Sequence, residues 1–554
     1  MNLRRNMLIR SLVLLVILFS SCTPQTTEST FPNKAYGKHP LVLSIVLDQV
    51  GSWALERYLP YLDEHGLIRS HLPKAEYFKY VQLAHATTFT APGHAAIFTG
   101  EPPRHSGIGA NRVWDYKRND VRMIVDTGKH RVFADTAHFA SPDELEAQTV
   151  GDLLKVQSRG KSKVVSISIK PWPAVVSGGK KADLAAWYTP RENDGAMSTS
   201  SYYSKEEPSW ISSWNKDHTV AQFWGAWDAE NQKLYTSVVG ADEGPGEDTL
   251  EGWSTTFPHD PKKAKEPYVA FEYTPQATAY LLKFTEKAVE HYGLGQDSYP
   301  DLLMVSVSGT DKIGHTFGVE SWEYLDNLIR VDRMLGQFVA QLEKTTDLSV
   351  LITSDHGSYP LPEKSEHPEE GGRLDYEATL NDLNTLAQKQ LGQGKWFAYL
   401  EFPLLYFAQE AKTGDKRKKL IAIATEYFTK LSGVSRVFDT AEFSSESEEK
   451  DPLREAIRLS LPAKLGADMY IIPGQNTVPR AKGGTTHGSP WPHDRQVPVI
   501  VWRSRAHADA AQTPQGSQEM IRNELYDQRR IASTLADLLG LPALKRPSLL
   551  ETSK

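Results

Sequence analysis

Hydrophobic positions along the chain gather into short, nearly unbroken runs, and each run lies beside a residue able to do chemistry. Leu41–Leu47 ends at Asp48, Val164–Ile169 runs into Lys170, and Leu302–Val307 leads to Asp311. Val350–Thr353 leads to Asp355-His356-Gly357, and Val497–Trp502 comes shortly after His487. Runs this short, rich in β-branched residues and without polar alternation, read as strands buried on both faces, the habit of parallel sheets. Helical patterns separate them. Thr274-Pro275 onward to Tyr292 has a Thr cap, Pro in the first turn and Gly293 as a stop. Glu323–Leu342 is amphipathic, and Arg530–Gly540 reads as a closing helix stopped by glycine. The alternation predicts an α/β fold, a doubly wound and mostly parallel sheet flanked by helices. Ligands bind such sheets beyond the carboxyl ends of the strands. Asp48, Asp311, Asp355 and Lys170 are therefore expected to converge.

Two stretches break the rhythm. From about 189 to 270, Trp210, Trp214, Trp224, Trp227 and Trp253 stand among turn formers with no clean period. From about 358 to 480, a charged, Pro-rich start is followed by mixed short elements. Both are expected to be cap insertions over the site. The tryptophans are expected to pack their insertion in preference to stacking a substrate ring.

Charge narrows the partners. With a net charge of −7 and no Lys/Arg-rich stripe, nucleic acid is not expected as a wrapped partner. The amino terminus adds a location. Arg4, Arg5 and Arg10 precede Leu12–Phe19, an apolar run too short to span a bilayer, and Ser20-Ser21-Cys22 follows. Cys22 is the only cysteine, and the residues ahead of it resemble a bacterial lipobox, although Phe19 replaces the usual Leu. That resemblance implies a signal peptide over 1–21 and an acyl anchor to the membrane at Cys22. A lipidated tether then covers 22–40 and a catalytic domain 41–545. The protein is expected to be a periplasmic or cell-surface lipoprotein, with Thr23 after the cysteine leaning to the outer membrane.

Chemistry concentrates at the strand ends. Thr90-Ala-Pro-Gly-His94 reads as a helix opening, with Thr90 at the N-cap, Pro92 in the first turn and Gly100 as the stop. A hydroxyl there lies against the positive end of the helix, which favours an oxyanion. Asp311 and His315 lie four apart, Asp355 and His356 are adjacent, and His487 sits in Gly484-Thr-Thr-His-Gly-Ser-Pro490. With Asp48 this makes three carboxylates and three imidazoles. Such an N/O donor set suits zinc, with manganese or iron as weaker options, and is about what two metals need.

Asp48, Thr90-x-Pro-x-His94, Thr310-Asp311-x-x-Gly-His315, Ser354-Asp355-His356-Gly357 and Thr486-His487-Gly-Ser-Pro490 together resemble the alkaline phosphatase superfamily. The likeness is to its threonine-nucleophile branch, that of PafA-type phosphatases, beside which stand the nucleotide pyrophosphatase/phosphodiesterases. The resemblance implies two Zn2+ per chain. Asp311, His315 and His487 hold one; Asp48, Asp355 and His356 hold the other, which Thr90 also bridges as its alkoxide. Thr90 attacks phosphorus, and the phospho-threonine is then hydrolysed. Asn111 matches the family's asparagine that donates to a phosphoryl oxygen, and His94 reads as support rather than ligand.

One position departs from the family. PafA-type monoesterases carry Lys-x-Arg where this chain has Lys170-Pro-Trp172, so Lys170 is kept as a substrate contact and Trp172 replaces the arginine. Arg112, Lys180 and Lys181 are candidates for a replacement cation. The expected function is a zinc-dependent alkaline phosphatase acting on small phosphate monoesters. A type I phosphodiesterase/nucleotide pyrophosphatase on the same scaffold is the alternative, with Trp172 packing on a second ester group.

Overall fold

The computed structural model describes residues 40–191, 194–365, 371–503 and 520–551. The signal expected over 1–21, Cys22, and the 22–40 tether up to residue 39 lie outside the described residues.

Nine strands form the central sheet: β1 (Pro40–Leu47), β2 (Glu76–Gln82), β5 (Val164–Ser168), β6 (Leu184–Pro190), β7 (Gly195–Ser198), β8 (Asp301–Val307), β9 (Asp347–Thr353), β16 (Gln496–Arg503) and β17 (Met520–Asp527). Their order is β17-β2-β16-β9-β1-β8-β5-β6-β7. The run β9-β1-β8-β5-β6 is parallel. Side chains of β1 show why no polar alternation is visible in the sequence. Leu41, Leu43, Ile45 and Leu47 enter one core, while Val42 and Val46 enter another on the opposite face. The helices Pro275–Tyr292 and Trp322–Leu342 cover the first face; Thr90–Thr99 and Arg530–Leu538 cover the second. The mostly parallel α/β sheet read from the sequence is the observed fold.

The fifth apolar run behaves differently. β16 is antiparallel to both β9 and β2. An apolar run reports burial on two faces and carries no information on direction. The reversal places the amino end of β16, and hence the loop bearing His487, at the same edge as the carboxyl ends of β1, β8 and β9.

The insertions are more ordered than their composition indicates. The stretch from 189 begins inside the central sheet, because β7 pairs antiparallel with β6. Within 358–480 lies a second antiparallel sheet, formed by β11 (Phe397–Glu401), β12 (Leu404–Phe407), β13 (Val434–Asp439) and β14 (Met469–Pro473). Its order is β11-β12-β14-β13. The helices Tyr376–Leu391 and Gly414–Lys430 pack on it around a separate apolar core. The short parallel pair β10 (Gly372–Arg373) and β15 (Thr477–Val478) joins the two ends of this insertion. A hairpin, β3 (Arg112–Asp115) and β4 (Asp120–Met123), follows the helix Thr90–Thr99.

The tryptophans pack, as expected. Trp214, Trp227 and Trp253 belong to the core beneath the first face, and Trp210 and Trp224 lie against it. Trp227 is also an anchor, donating Nε1–H to Asp326 Oδ2 at 2.6 Å. Asp326 is fully buried on the helix Trp322–Leu342, where it also accepts from Tyr235 Oη, Glu230 N and Arg330 Nε. Replacing Asp326 with Ala strands four donors, three of them from the insertion. It should cost about 3–5 kcal/mol in urea unfolding and expose residues 220–240 to limited proteolysis.

Candidate active site

The helix Thr90–Thr99 is buried along its whole length. Its fourth residue is glycine for a packing reason, since a Cβ at Gly93 would overlap the backbone carbonyl of Asp355. The structure shifts the expected N-cap by one residue. Phe89 is the N-cap and Thr90 the first helical residue. The capping task passes to Asn111, whose Oδ1 accepts from Ala91 N at 2.7 Å. Thr90 therefore does not spend its hydroxyl on its own helix. Its Oγ1 lies 3.3 Å from His356 Nε2.

Asp48, Asp311, Asp355, His356 and His487 are all buried at one edge of the sheet. Asp48, Asp355 and His356 each bring a ligand atom within 4.8 Å of the others, and so do Asp311, His356 and His487. His315 joins from the side, its Nε2 3.1 Å from Asp311 Oδ1. His356 thus stands between the two groups, its ring stacked on that of His487 at 3.7 Å between centroids.

Hydrogen bonds fix the tautomer of each imidazole. His315 Nδ1 is 3.0 Å from the Thr485 carbonyl, His356 Nδ1 2.9 Å from that of Gly357, and His487 Nδ1 2.8 Å from that of Thr88. A carbonyl only accepts, so Nδ1 carries a proton, and Nε2 presents a lone pair whenever the ring is neutral. Those lone pairs face carboxylates: His487 Nε2 is 3.4 Å from Asp311 Oδ1, and His356 Nε2 is 3.4 Å from Asp355 Oδ2. The carboxylates are half tied in the same way. Asp48 Oδ2 accepts from Lys170 while its buried Oδ1 accepts nothing. Asp355 Oδ1 takes the N–H of Gln49 and its own neighbour His356, while Oδ2 accepts no hydrogen bond. Lone pairs facing lone pairs in a buried site repel unless a proton or a metal cation lies between them. These donors therefore fit divalent metal, with the outer hydrogen bonds that metal-ligating histidines usually carry.

His487 is depressed by burial, but its bond to Asp311 more than reverses this and holds the imidazole above its usual range. In the metal-free site a proton therefore takes the place a metal cation would fill. Burial, followed by the charges of Asp311 and Asp355, pushes the Asp48 carboxyl well above its usual range. Burial also acts on Asp311, but His315 and Lys170 more than reverse it and hold that carboxyl low. Burial pulls His356 down to about 4, so it stays neutral and able to ligate.

Lys170 sits deeper than a plain substrate contact. Its Nζ is 2.7 Å from Asp48 Oδ2 and also meets Asp311 Oδ2, one carboxylate from each group. His94 supports the helix Thr90–Thr99, with Nδ1 donating to the Thr90 carbonyl at 2.9 Å and Nε2 accepting from Ser306 Oγ. Trp172 lines the cleft and packs against the neighbouring core, and its indole N–H is buried without a hydrogen-bond partner among the described residues. Lys180 and Lys181 lie between the helix Pro171–Gly178 and the start of β6, at the opposite edge of the sheet, and are excluded as replacement cations.

A cleft of about 630 Å³ opens over this centre, bounded by Thr90, Asn111, Lys170 and His487. Arg112 is the one anticipated replacement cation that lines it, 4.0 Å from Glu401. The second sheet contributes Tyr399 and Glu401, whose side chains are bonded at 2.9 Å. Sequence reasoning missed these, as it missed Tyr273, Lys312 and Arg480 in the same wall. Only Lys312, inside the Asp311–His315 motif, carried a signal. None of the five insertion tryptophans lines the cleft.

Comparison with known proteins places these features. The family model for type I phosphodiesterase / nucleotide pyrophosphatase matches residues 42–375. The chain is 28% identical to the alkaline phosphatase PhoV of Synechococcus elongatus over 504 residues, 88% of this chain and 90% of that one. It is 30% identical over 487 residues to a protein of Myroides odoratus named calcium-transporting ATPase, with 84% and 87% of the two chains covered. The crystal structure of the alkaline phosphatase PafA superposes with a TM-score of 0.80 at 25% identity, covering 93% of this chain and 99% of that one.

Divalent cations bound among these ligands stabilise the folded state alone, by about 4 kcal/mol at a free concentration 1,000 times Kd. Chelation should therefore lower the melting temperature, and added Zn2+ should restore it. An unchanged melting curve counts against a metal site.

Proposed function

The chain belongs to the type I phosphodiesterase / nucleotide pyrophosphatase family, and from that premise we propose a zinc-dependent phosphomonoesterase that works through a phospho-threonine at Thr90. The observation that carries the reading is the Thr90 hydroxyl. It is buried at the start of a helix, relieved of capping by Asn111, and 3.3 Å from the unprotonated nitrogen of His356. That the chain is a phosphoric ester hydrolase follows from its relatives, among them alkaline phosphatases.

In this reading Asp48, Asp355 and His356 hold one zinc, and Asp311, His315 and His487 hold the other. Two such ions lower the pKa of the attacking hydroxyl and offset charge on the ester and its leaving oxygen. The chain's own residues do the rest. The helix amino terminus favours the Thr90 oxyanion. Asn111, its Oδ1 tied to Ala91, keeps its two Nδ2–H donors for a phosphoryl oxygen. Thr90 Oγ bonds to phosphorus as the P–O ester bond breaks, and the alcohol departs with a proton. Water then cleaves the phospho-threonine, giving inorganic phosphate and the free hydroxyl. Lys170 keeps Asp48 and Asp311 at hydrogen-bonding distance from a single ammonium, which limits how far the two ligand groups can separate.

Trp172 favours a second reading, a phosphodiesterase. It puts an indole where a guanidinium would meet the extra charge of a monoester dianion. The retained Lys170 and the alkaline phosphatase relatives weigh toward the monoester. The proposal extends to location: Arg4, Arg5, Arg10, the run Leu12–Phe19 and Cys22 support an exported lipoprotein anchored at Cys22.

Two measurements test this. Thr90→Ala should abolish turnover of p-nitrophenyl phosphate while leaving zinc content unchanged; retained turnover removes Thr90 as nucleophile. Wild-type kcat/KM should favour p-nitrophenyl phosphate over bis-p-nitrophenyl phosphate. Trp172→Arg should widen that preference by about tenfold or more, the effect of one charge-assisted hydrogen bond of roughly 1.5–3 kcal/mol. A wild-type preference for the diester decides for the second reading.

A further inference from the structure

Gln49 follows Asp48 in a position that costs free energy. Its φ is +70°, a left-handed conformation disfavoured for a long side chain, and it is fully buried. Strain of this kind persists where the surroundings over-determine it, commonly beside a functional site. Here the surroundings are two hydrogen bonds. The Gln49 backbone N–H donates to Asp355 Oδ1 at 3.2 Å, and the side-chain Nε2–H donates to Asp311 Oδ1 at 2.8 Å. A carboxylate only accepts, so the amide nitrogen must face Asp311 and Oε1 must face away. Gln49 thus holds one carboxylate from each ligand group, through two bonds that leave from a single residue.

The chain makes room for that side chain. Oε1 points at Gly314, on the helix Gly309–Phe317 between Asp311 and His315, and a Cβ on Gly314 would overlap it. Glycine inside a helix is unfavourable unless something else needs the space. An unusual φ, two ligand contacts and an accommodating glycine on the ligand-bearing helix point to one purpose.

We propose that Gln49 is a positioning residue that fixes the spacing between the two metal-ligand groups, and that Gly314 is glycine in order to admit its amide. The proposal rests on the two-zinc reading of the site. The left-handed φ aims the backbone N–H toward Asp355 while the side chain reaches Asp311. A residue with ordinary φ at this turn cannot serve both carboxylates in the same way. Asp355 keeps Oδ2 for the cation because Gln49 occupies Oδ1.

Gln49→Gly suits the positive φ and keeps the backbone donor, so it removes the amide alone. Gln49→Asn tolerates the φ but is one methylene short of Asp311. Zinc stoichiometry and affinity, read by competition with a chelating dye on the full chain, are the measurement. Wild type is expected to bind two zinc ions. Both variants should weaken one of them by about 10- to 100-fold, the usual effect of losing a ligand's outer partner, with the melting temperature of the metal-free protein little changed. Gly314→Ala should weaken the same zinc in the wild-type background. It should do nothing further in the Gln49→Gly background, where the atom it strikes is gone. Two zinc ions held by Gln49→Gly as tightly as by wild type overturn the role of Gln49 and leave the two-metal site intact. An equal loss from Gly314→Ala in both backgrounds overturns the role given to Gly314. A wild type that binds no zinc removes the two-metal reading, and this proposal with it.

Discussion

Three carboxylates buried within reach of one another stay ionised only if positive charge is brought to them, and one lysine is too little. Asp48, Asp311 and Asp355 set that problem at the edge of the sheet, and much of the neighbouring design answers it. Lys170, at the floor of the cleft, reaches between Asp48 and Asp311. Three imidazoles are pinned by distant carbonyls so that their Nε2 atoms join the carboxylates. Lys170 alone does not balance three carboxylates, and a divalent metal is the complement this donor set fits. The proposed nucleophile is placed by the same economy of hydrogen bonds: Asn111 caps the helix, and Thr90 keeps its hydroxyl free of that task.

Much of this was legible in the sequence, because strand ends and ligands coincide. The apolar runs before Asp48, Lys170, Asp311 and Asp355 gave four parallel strands, and the ligands followed from what stands just after each. Direction was not legible. Val497–Trp502 is as apolar as Leu41–Leu47, yet β16 runs the other way, since burial on both faces leaves the same trace in either orientation. Glu76–Gln82 escaped notice for the opposite reason. Its polar residues, Glu76, Lys79 and Gln82, break the apolar run, although it sits two strands from β9. Asn111 as a cap and Gln49 as a tie depend on contacts across 20 and 262 positions, which no local pattern reports.

The insertions divide the labour. The stretch from 189 is bolted to the body of the protein through β7 and through Asp326, so its tryptophans serve packing. The stretch from 358 carries its own sheet and apolar core, and offers Tyr399 and Glu401 to the cleft. The candidate ligand loops stand at the strand ends, and the cleft wall above them draws on both insertions, Thr249 and Leu250 from the first and Tyr376, Tyr399, Glu401 and Arg480 from the second. A change of substrate can therefore be made in the wall without disturbing the donors beneath it.

β16 has a consequence for how the molecule is made. It fills the slot between β9 and β2, and it is drawn from residues 496–503, near the end of synthesis. Until those residues emerge, β2 has no strand linking it to the parallel run. A growing chain carries Asp48, Asp355 and His356 by residue 356, whereas Asp311 and His315 wait for His487. Pairing of such distant segments is slow to form. A chain cut before residue 487 therefore carries one candidate ligand group whole and lacks a member of the other.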